Sequence, residues 1–388
     1  MRFAFAIVSL FPGGGLQRDC IDIARRVRKS GHDVTIFTSR ISDTEFIRDL
    51  NVRILHVGPT TNHKRQRLFS NEFHKVAAGH FDLLVGFDKL AGLDILYCSD
   101  RSMYARTAVS PLMRALPRYS EFIRLEKECF APNQPTKILL LSESQLNEYW
   151  TYWQTEPKRL TLLPPTLAAK RRKFEYRTDG TRRKWRTQLG LSDDDWVWIS
   201  VAVQPRTKGI DRTVRALNHF RNARLLVVGL DEGDDRALEV ARLAQILGVS
   251  ERIKWLGHRE EIPELLAAAD LFVHPARYDT TGTVLLEAIV NGLPVITTSA
   301  CGYAKHVSGA DAGIVIQEPF HQRTFLAALE TARDRDSSEH WSKSGTEYGK
   351  QKSLYEGKTR AAVLLIARGL EGPQAVGLNG WGAKKPSI

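Results

Sequence analysis

Short apolar runs alternate along this chain with stretches whose apolar residues recur at helical spacing. In the first half, Phe3 to Leu10, Asp33 to Thr38, Val52 to Val57 and Phe81 to Phe87 read as strands, and Leu16 to Lys29 reads as an amphipathic helix. Alternation of this kind predicts a parallel sheet covered by helices. A strand at Lys137 to Leu141, a helix from Glu143 and the segment Leu160 to Leu163 complete this half, and Pro164-Pro165 makes a natural boundary. After a basic stretch from Lys170 to Arg186 the pattern restarts. Strands are predicted at Trp196 to Val201, Arg224 to Val228, Ile253 to Leu256, Leu271 to His274, Val295 to Thr297 and Gly313 to Ile316, with amphipathic helices between them. Glu339 to Arg368 reads as helical, and Gly372 to Ile388 is rich in Gly and Pro with few large apolar side chains.

The expectation is an α/β protein with two Rossmann-like, doubly wound parallel-sheet domains facing across a cleft. Residues 1–165 and 166–350 form the domains, 351–370 a C-terminal helix and 371–388 a disordered tail. Length agrees, because a single core stops growing at roughly 250–300 residues and this chain has 388. With 43% hydrophobic and 26% charged residues it has enough apolar material to fold, which excludes a disordered chain. The net charge of +12 raises the local concentration of anions without saying which. Cys20, Cys98, Cys129 and Cys301 are widely spaced, so no disulfide framework or zinc site is indicated and a reducing, cytosolic location fits. The apolar start, Phe3 to Phe11, is preceded only by Arg2 and followed by no small-x-small site, so it reads as a strand and not a signal peptide. No apolar run reaches the length of about 18 residues needed to cross a bilayer, which leaves only peripheral membrane contact.

Parallel sheets bind ligands at the carboxyl ends of their strands, and three loops there carry chemistry. The first, Phe11 to Asp19, contains Gly13, Gly14 and Gly15, more glycine than a tight turn needs. Gly14 and Gly15 let a ligand approach the backbone and the helix start. Arg18 stands where a dinucleotide fingerprint needs its third glycine, which argues against NAD. The second loop, Gln204 to Gly209, offers Lys208 and Arg206 to a diphosphate whose charge grows as it leaves; a solvated surface lysine is the plain alternative. The third pairs Asp279 with Glu287 around the helix start at Gly282. A carboxylate accepts two hydroxyl hydrogen bonds at once, which suits a ribose or a sugar, and Glu287 among Val284, Leu285, Leu286, Ala288 and Ile289 needs a partner. Asp193-Asp194-Asp195 contains a D-x-D, but it precedes a strand and reads as a solvated turn.

Together, the GGGLQRD loop, Gly86-Phe87-Asp88-Lys89 with Gly92-Leu93-Asp94, Ala267 to Pro275, Gly282 to Ala288 and Cys301-Gly302-Tyr303-Ala304 resemble the family 4 retaining glycosyltransferases of GT-B fold. The likeness covers roughly residues 1 to 350, and within the family it is to the lipopolysaccharide core glucosyltransferases, which add α-glucose from UDP-glucose to an inner-core heptose. The resemblance implies an N-terminal acceptor domain and a C-terminal nucleotide-sugar domain. It implies that Glu287 binds the ribose, that Gly282, Thr283 and Val284 offer backbone N–H groups to the donor, that Lys208 grips the diphosphate and that Arg171 adds a cation. Asp19 and Asp100 are implied to contact sugar or acceptor; Asp100 could equally cap a helix before Arg101. Two positions depart from the family pattern: its first acid, a glutamate, is Asp279 here, and the arginine before the loop lysine is Thr207, with Arg206 as substitute.

Without an obvious protein nucleophile, retaining transfer implies attack on the donor's front face with the leaving diphosphate taking the acceptor proton. No cofactor and no metal are expected, since loop cations supply the electrostatics; the UDP-sugar is a co-substrate. Expected partners are the UDP-sugar, the lipopolysaccharide core and an anionic inner-membrane surface. The last would be met by the basic amphipathic stretch Arg101 to Arg124, which reads equally as an ordinary helical hairpin. No stacking groove or recognition helix supports a nucleic-acid partner. An epimerase acting on a UDP-sugar, or another UDP-sugar donor or glycan acceptor, remains as an alternative.

Overall fold

The computed structural model describes residues 1–108 and 110–371, and the chain divides into two compact units. Met1–Thr166 forms the first, together with the chain from Glu356 onward; Leu167–Tyr355 forms the second. The expected tail lies outside the described residues, apart from Glu371, which closes the last helix.

In the first unit the strands are β1 (Arg2–Ala6), β2 (Asp33–Thr38), β3 (Asn51–Ile54), β4 (Leu83–Gly86), β5 (Ile95–Cys98), β6 (Lys137–Leu140) and β7 (Leu160–Leu162). They pair in the order β3-β2-β1-β4-β5-β6-β7, all parallel. Strands β4 and β5 are buried at every position, as expected where helices cover both faces of a sheet. The helices are α1 (Gly15–Lys29), α2 (Asn62–Ala77), α3 (Met103–Arg106), α4 (Pro111–Ala115), α5 (Pro117–Phe130) and α6 (Glu143–Trp153). Helix α1 buries Cys20, Ile21, Ala24 and Val27 at helical spacing, and Arg26, Arg28 and Lys29 in its last turn complement the negative end of its dipole.

The second unit repeats the design with β8 (Trp196–Val201), β9 (Ala223–Val228), β10 (Ile253–Trp255), β11 (Leu271–His274), β12 (Val295–Thr298) and β13 (Gly313–Ile316), ordered β10-β9-β8-β11-β12-β13. Its helices are α7 (Thr181–Gln188), α8 (Ile210–Leu217), α9 (Leu238–Ile246), α10 (Ile262–Ala268), α11 (Thr283–Val290), α12 (Ala304–Gly309), α13 (Gln322–Arg333) and α14 (Arg335–Tyr348). The last described helix, α15 (Gly357–Glu371), belongs to the first unit, where Ala361, Ala362 and Leu365 join the core of Phe3, Phe5, Cys20 and Ala24.

Three expectations differ from the structure. Strand β5 went unpredicted, because Ile95–Cys98 is a four-residue apolar run with no alternation and charged or polar neighbours on both sides. The helical stretch from Glu339 to Arg368 is interrupted: α14 ends at Tyr348, Gly349 packs against Val290 where a Cβ would come within 2.9 Å, and a short turn over Lys352–Tyr355 precedes α15. The stretch Arg101 to Arg124 is three helical pieces, because Pro111 and Pro117 each begin a new one.

In both sheets the strand order reverses beside the first strand, between β1 and β4 and between β8 and β11. Loops diverge at such a point and leave a crevice at the carboxyl ends of the two strands.

Candidate active site

In the second unit this crevice is flanked by the loop after β8, which carries Lys208, and the loop after β11, which carries Asp279. The two loops are fastened to each other. Arg277 donates its backbone N–H to the Thr207 carbonyl (2.8 Å), Arg277 Nη1 reaches the Arg206 carbonyl (2.6 Å), and the guanidinium is bidentate to Asp211 in the first turn of α8 (2.7 Å each). Gly209 makes this closeness attainable. Its φ is +78°, and a Cβ there would stand 2.0 Å from the Pro275 carbonyl oxygen, so only glycine fits.

This fastening brings Lys208 Nζ to 2.7 Å from Asp279 Oδ2. His274, the last residue of β11 and 1% exposed, places Nε2 2.9 Å from the same oxygen. Burial disfavours the Asp279 carboxylate, but the His274 hydrogen bond and the Lys208 charge outweigh it and hold its pKa at about 2. Burial likewise works against the His274 imidazolium, yet Asp279 and the neighbouring Cys301 thiol raise its pKa to about 9. His274, Asp279 and Cys301 offer ligand atoms within 4.8 Å of one another. With Nε2 committed to Asp279, a metal ion would have to replace that hydrogen bond.

Gly282 caps α11 with φ +75°, and Thr283 and Val284 form the first turn of the helix, where backbone N–H groups lack intrahelical acceptors. One turn on, the Glu287 side chain is 11% exposed and 4.0 Å from Arg171 Nε. Asn291, buried at the end of α11, holds this pair together: its Nδ2 donates to the Arg171 carbonyl (2.8 Å) and the Glu287 carbonyl (2.7 Å), while Oδ1 accepts from Lys173 N (2.5 Å). The Arg206 side chain pairs with Glu239 at the surface.

The first unit gathers carboxylates at the corresponding place. Asp19, on the first turns of α1, accepts from Tyr97 Oη (2.8 Å) and meets Lys358 of α15 at 3.1 Å. Burial raises its pKa, against the lowering effects of Lys358 and Tyr97. Asp88, after β4, accepts from Val8 N (2.6 Å), and burial, opposed by that bond and helped by the charge of Asp100, pushes it up to about 6. Asp100 is held by its carbonyl, which accepts from Gln145 Nε2 and Tyr149 Oη (2.9 Å each), and its residue is exposed. The helix-cap alternative for Asp100 fails: Ser102 caps α3, its Oγ accepting from Ala105 N at 3.0 Å. Gly14 caps α1, and a Cβ on Gly15 would meet nothing within 4 Å, so the backbone there is open to approach.

Sequence reading passed over Asp88, Tyr97, Lys358, His274, Arg277 and Asn291. Asp88 and His274 stand inside motifs of the family resemblance but carried no role there; the others act through contacts that no local pattern announces. The D-x-D lies at the amino ends of β8 and β11, lining a groove of about 560 Å³ with His219, Arg333 and Asp270, at the end of the sheet opposite Lys208.

Known proteins resemble this chain over most of its length. The family model "Glycosyl transferases group 1" matches residues 181–348. The lipopolysaccharide glucosyltransferase WaaG of Escherichia coli is 32% identical over 96% of this chain and all of that protein. The chain belongs to the group 1 glycosyltransferases. A crystal structure of WaaG, a glycosyltransferase involved in lipopolysaccharide biosynthesis, superposes on the enzyme with a TM-score of 0.86 at 31% identity, covering 94% of this chain and 99% of the other. The glycosyltransferase is also similar to the D-inositol 3-phosphate glycosyltransferase of Stackebrandtia nassauensis, at 25% identity over 78% of this chain and 75% of that protein. The fold of Anabaena HepE, solved with UDP-glucose, matches at a TM-score of 0.74 and 17% identity.

Proposed function

We propose that the enzyme is a retaining hexosyltransferase that moves glucose from UDP-glucose to a heptose of the lipopolysaccharide inner core. The observation that carries this reading is the convergence of Lys208, Asp279, the α11 start and Glu287 at the switch point of one sheet. Similarity to WaaG over nearly the whole of both chains supports the acceptor.

Glu287, steadied beside Arg171, accepts hydrogen bonds from the ribose hydroxyls. The first-turn amides of α11 and the Lys208 ammonium receive the diphosphate, where cations and helix starts favour negative charge. Asp279 accepts from the sugar hydroxyls, and Asp19 and Asp100 orient the acceptor. The anomeric carbon–phosphate oxygen bond breaks as charge accumulates on the diphosphate. The acceptor oxygen bonds to the anomeric carbon on the same face, and its proton passes to the departing phosphate oxygen, giving an α-glycoside and UDP. Lys208 and Arg171 stabilise that leaving group, so turnover persists in a chelator.

Attachment to an anionic leaflet runs through α4 and the residue that ends it, where Leu112 is 84% and Leu116 52% exposed beside Arg118. Arg114 stacks on Tyr104 and Arg124 pairs with Glu121, so part of the basic charge is spent internally. No described helix is long and apolar enough to cross a membrane. Flotation with anionic but not neutral vesicles, lost in Leu112→Asp, is expected.

The functional test supplies heptose-terminated core oligosaccharide with UDP-glucose, UDP-galactose and UDP-glucuronic acid in turn, and reads product mass and anomeric proton coupling. An α-linked hexose from UDP-glucose is expected. Transfer from another donor alone, a β-linkage, or sugar isomerisation with no acceptor modified would each overturn the reading.

A further inference from the structure

Lys208 and His274 converge on one oxygen of Asp279, although the reaction needs Lys208 elsewhere. Lys208 Nζ stands 2.7 Å from Asp279 Oδ2 without substrate, and a diphosphate arriving in the crevice competes for that ammonium. Once Lys208 turns to the phosphates, the nearly buried Asp279 loses one of its two charged partners. An unpaired buried carboxylate either takes up a proton or swings toward solvent. Both outcomes would spoil a group whose task is to accept hydrogen bonds from sugar hydroxyls at a fixed place.

His274 remains. Its ring stacks near Phe272 (centroids 5.9 Å apart), and its carbonyl accepts from Thr297 Oγ1 at 3.0 Å, so it stays with the strand while the Lys208 loop responds to ligand. The Cys301 thiol of the loop after β12 lies within 4.8 Å of the ring, and buried Nδ1 makes no hydrogen bond among the described residues, so the ring's polar contact is spent on Asp279 through Nε2. Asp279 is also one methylene shorter than the glutamate of the family pattern, so its reach toward the sugar depends more on where its carboxylate is anchored. We propose that His274 is a positioning residue of the transfer reaction, keeping the Asp279 carboxylate charged and aimed at the donor sugar while Lys208 engages the diphosphate; this rests on the donor reading given above.

The test compares wild type, His274→Phe and His274→Gln by calorimetric binding of UDP and UDP-glucose and by steady-state turnover, with thermal melts as a control for folding. Phenylalanine keeps an aromatic ring and removes the donor; glutamine supplies a neutral donor. UDP affinity is expected to stay within about threefold in all three, because Asp279 faces the sugar and not the nucleotide. Because the phenylalanine variant lacks one preorganised hydrogen bond, its kcat should fall by at least ~30-fold, while the glutamine variant recovers to within about 3- to 10-fold of wild type because a neutral hydrogen bond is weaker than a charged one. The affinity that glucose adds to UDP should follow the same order. A folded variant of either kind with wild-type kcat overturns the proposal, as does equal impairment of both, which would indicate packing. If the phenylalanine variant does not fold, the glutamine variant decides by the same criterion of wild-type kcat. Failure of the wild type itself to bind UDP would instead sink the donor reading, and this inference with it.

Discussion

Replacing Glu126 with glutamine tests how the loop that carries Asp100 is held. Glu126 is fully buried on α5, and its two oxygens accept from five donors: Lys89 Nζ (2.6 Å), Ser102 Oγ (2.6 Å), Met103 N (2.8 Å), Tyr104 N (3.2 Å) and Trp153 Nε1 (2.6 Å). Burial opposes ionisation of both partners, yet their mutual attraction lowers Glu126 and raises Lys89, so the pair is charged. Lys89 Nζ also donates to the Arg101 carbonyl at 3.1 Å, tying the pair to the residue after Asp100. An amide in place of the carboxylate turns one of the two acceptors into a donor and leaves the Lys89 ammonium without a counter-charge. Breaking a buried pair from one side costs about 3–5 kcal/mol. Because each 1.4 kcal/mol is a factor of ten, the Met103 and Tyr104 amides should exchange with solvent roughly 10²- to 4 × 10³-fold faster in Glu126→Gln. Hydrogen-exchange mass spectrometry over residues 100–107 reads this directly, without needing the two units to unfold together. The double variant Lys89→Met/Glu126→Gln should recover more than half of the loss. Exchange within about fivefold of wild type in the single variant would refute the reasoning.

Gly209→Ala meets both a left-handed backbone and the Pro275 carbonyl, so the loops must part; a loss of about 2–4 kcal/mol in stability, or a kcat at least tenfold lower in a folded variant, is expected from melts and turnover. Lys358→Met removes the cation that lowers the Asp19 carboxyl, which rises further; the acid limb of the kcat profile should move to higher pH, with UDP affinity unchanged. His274 has a folded pKa of about 9, above its ordinary 6.5. Its stabilising contribution is therefore complete below pH 6.5 and lost as pH rises through 9, an upper bound of about 3 kcal/mol that His274→Phe should abolish in melts taken at pH 6.5 and 9.5.

Repeating strand and helix periodicity made the two sheets legible, because parallel strands buried on both faces must be apolar and the helices between them amphipathic. Strand β5 was hidden by its brevity. The break at Gly349 was hidden because close packing against Val290 is a tertiary fact. At the site, Lys208, Asp279 and Gly282 stood out in loops after strands, where function concentrates, and Glu287 as a charge among apolar neighbours on the helix that Gly282 opens. The residues that hold them did not. Arg277 works through a fork onto Asp211, Asn291 through two carbonyls, and Lys358 from a helix more than 300 positions from Asp19 in sequence. Sequence spacing says nothing of such pairings.

Titration of UDP into wild type, Lys208→Met and Glu287→Gln by calorimetry bears most directly on the proposed nucleotide site. Each substitution should weaken UDP binding by roughly 10- to 100-fold, about 1.4–3 kcal/mol, with the melting temperature preserved. Wild-type UDP affinity in both folded variants would place the nucleotide elsewhere and contradict the site described for the second unit.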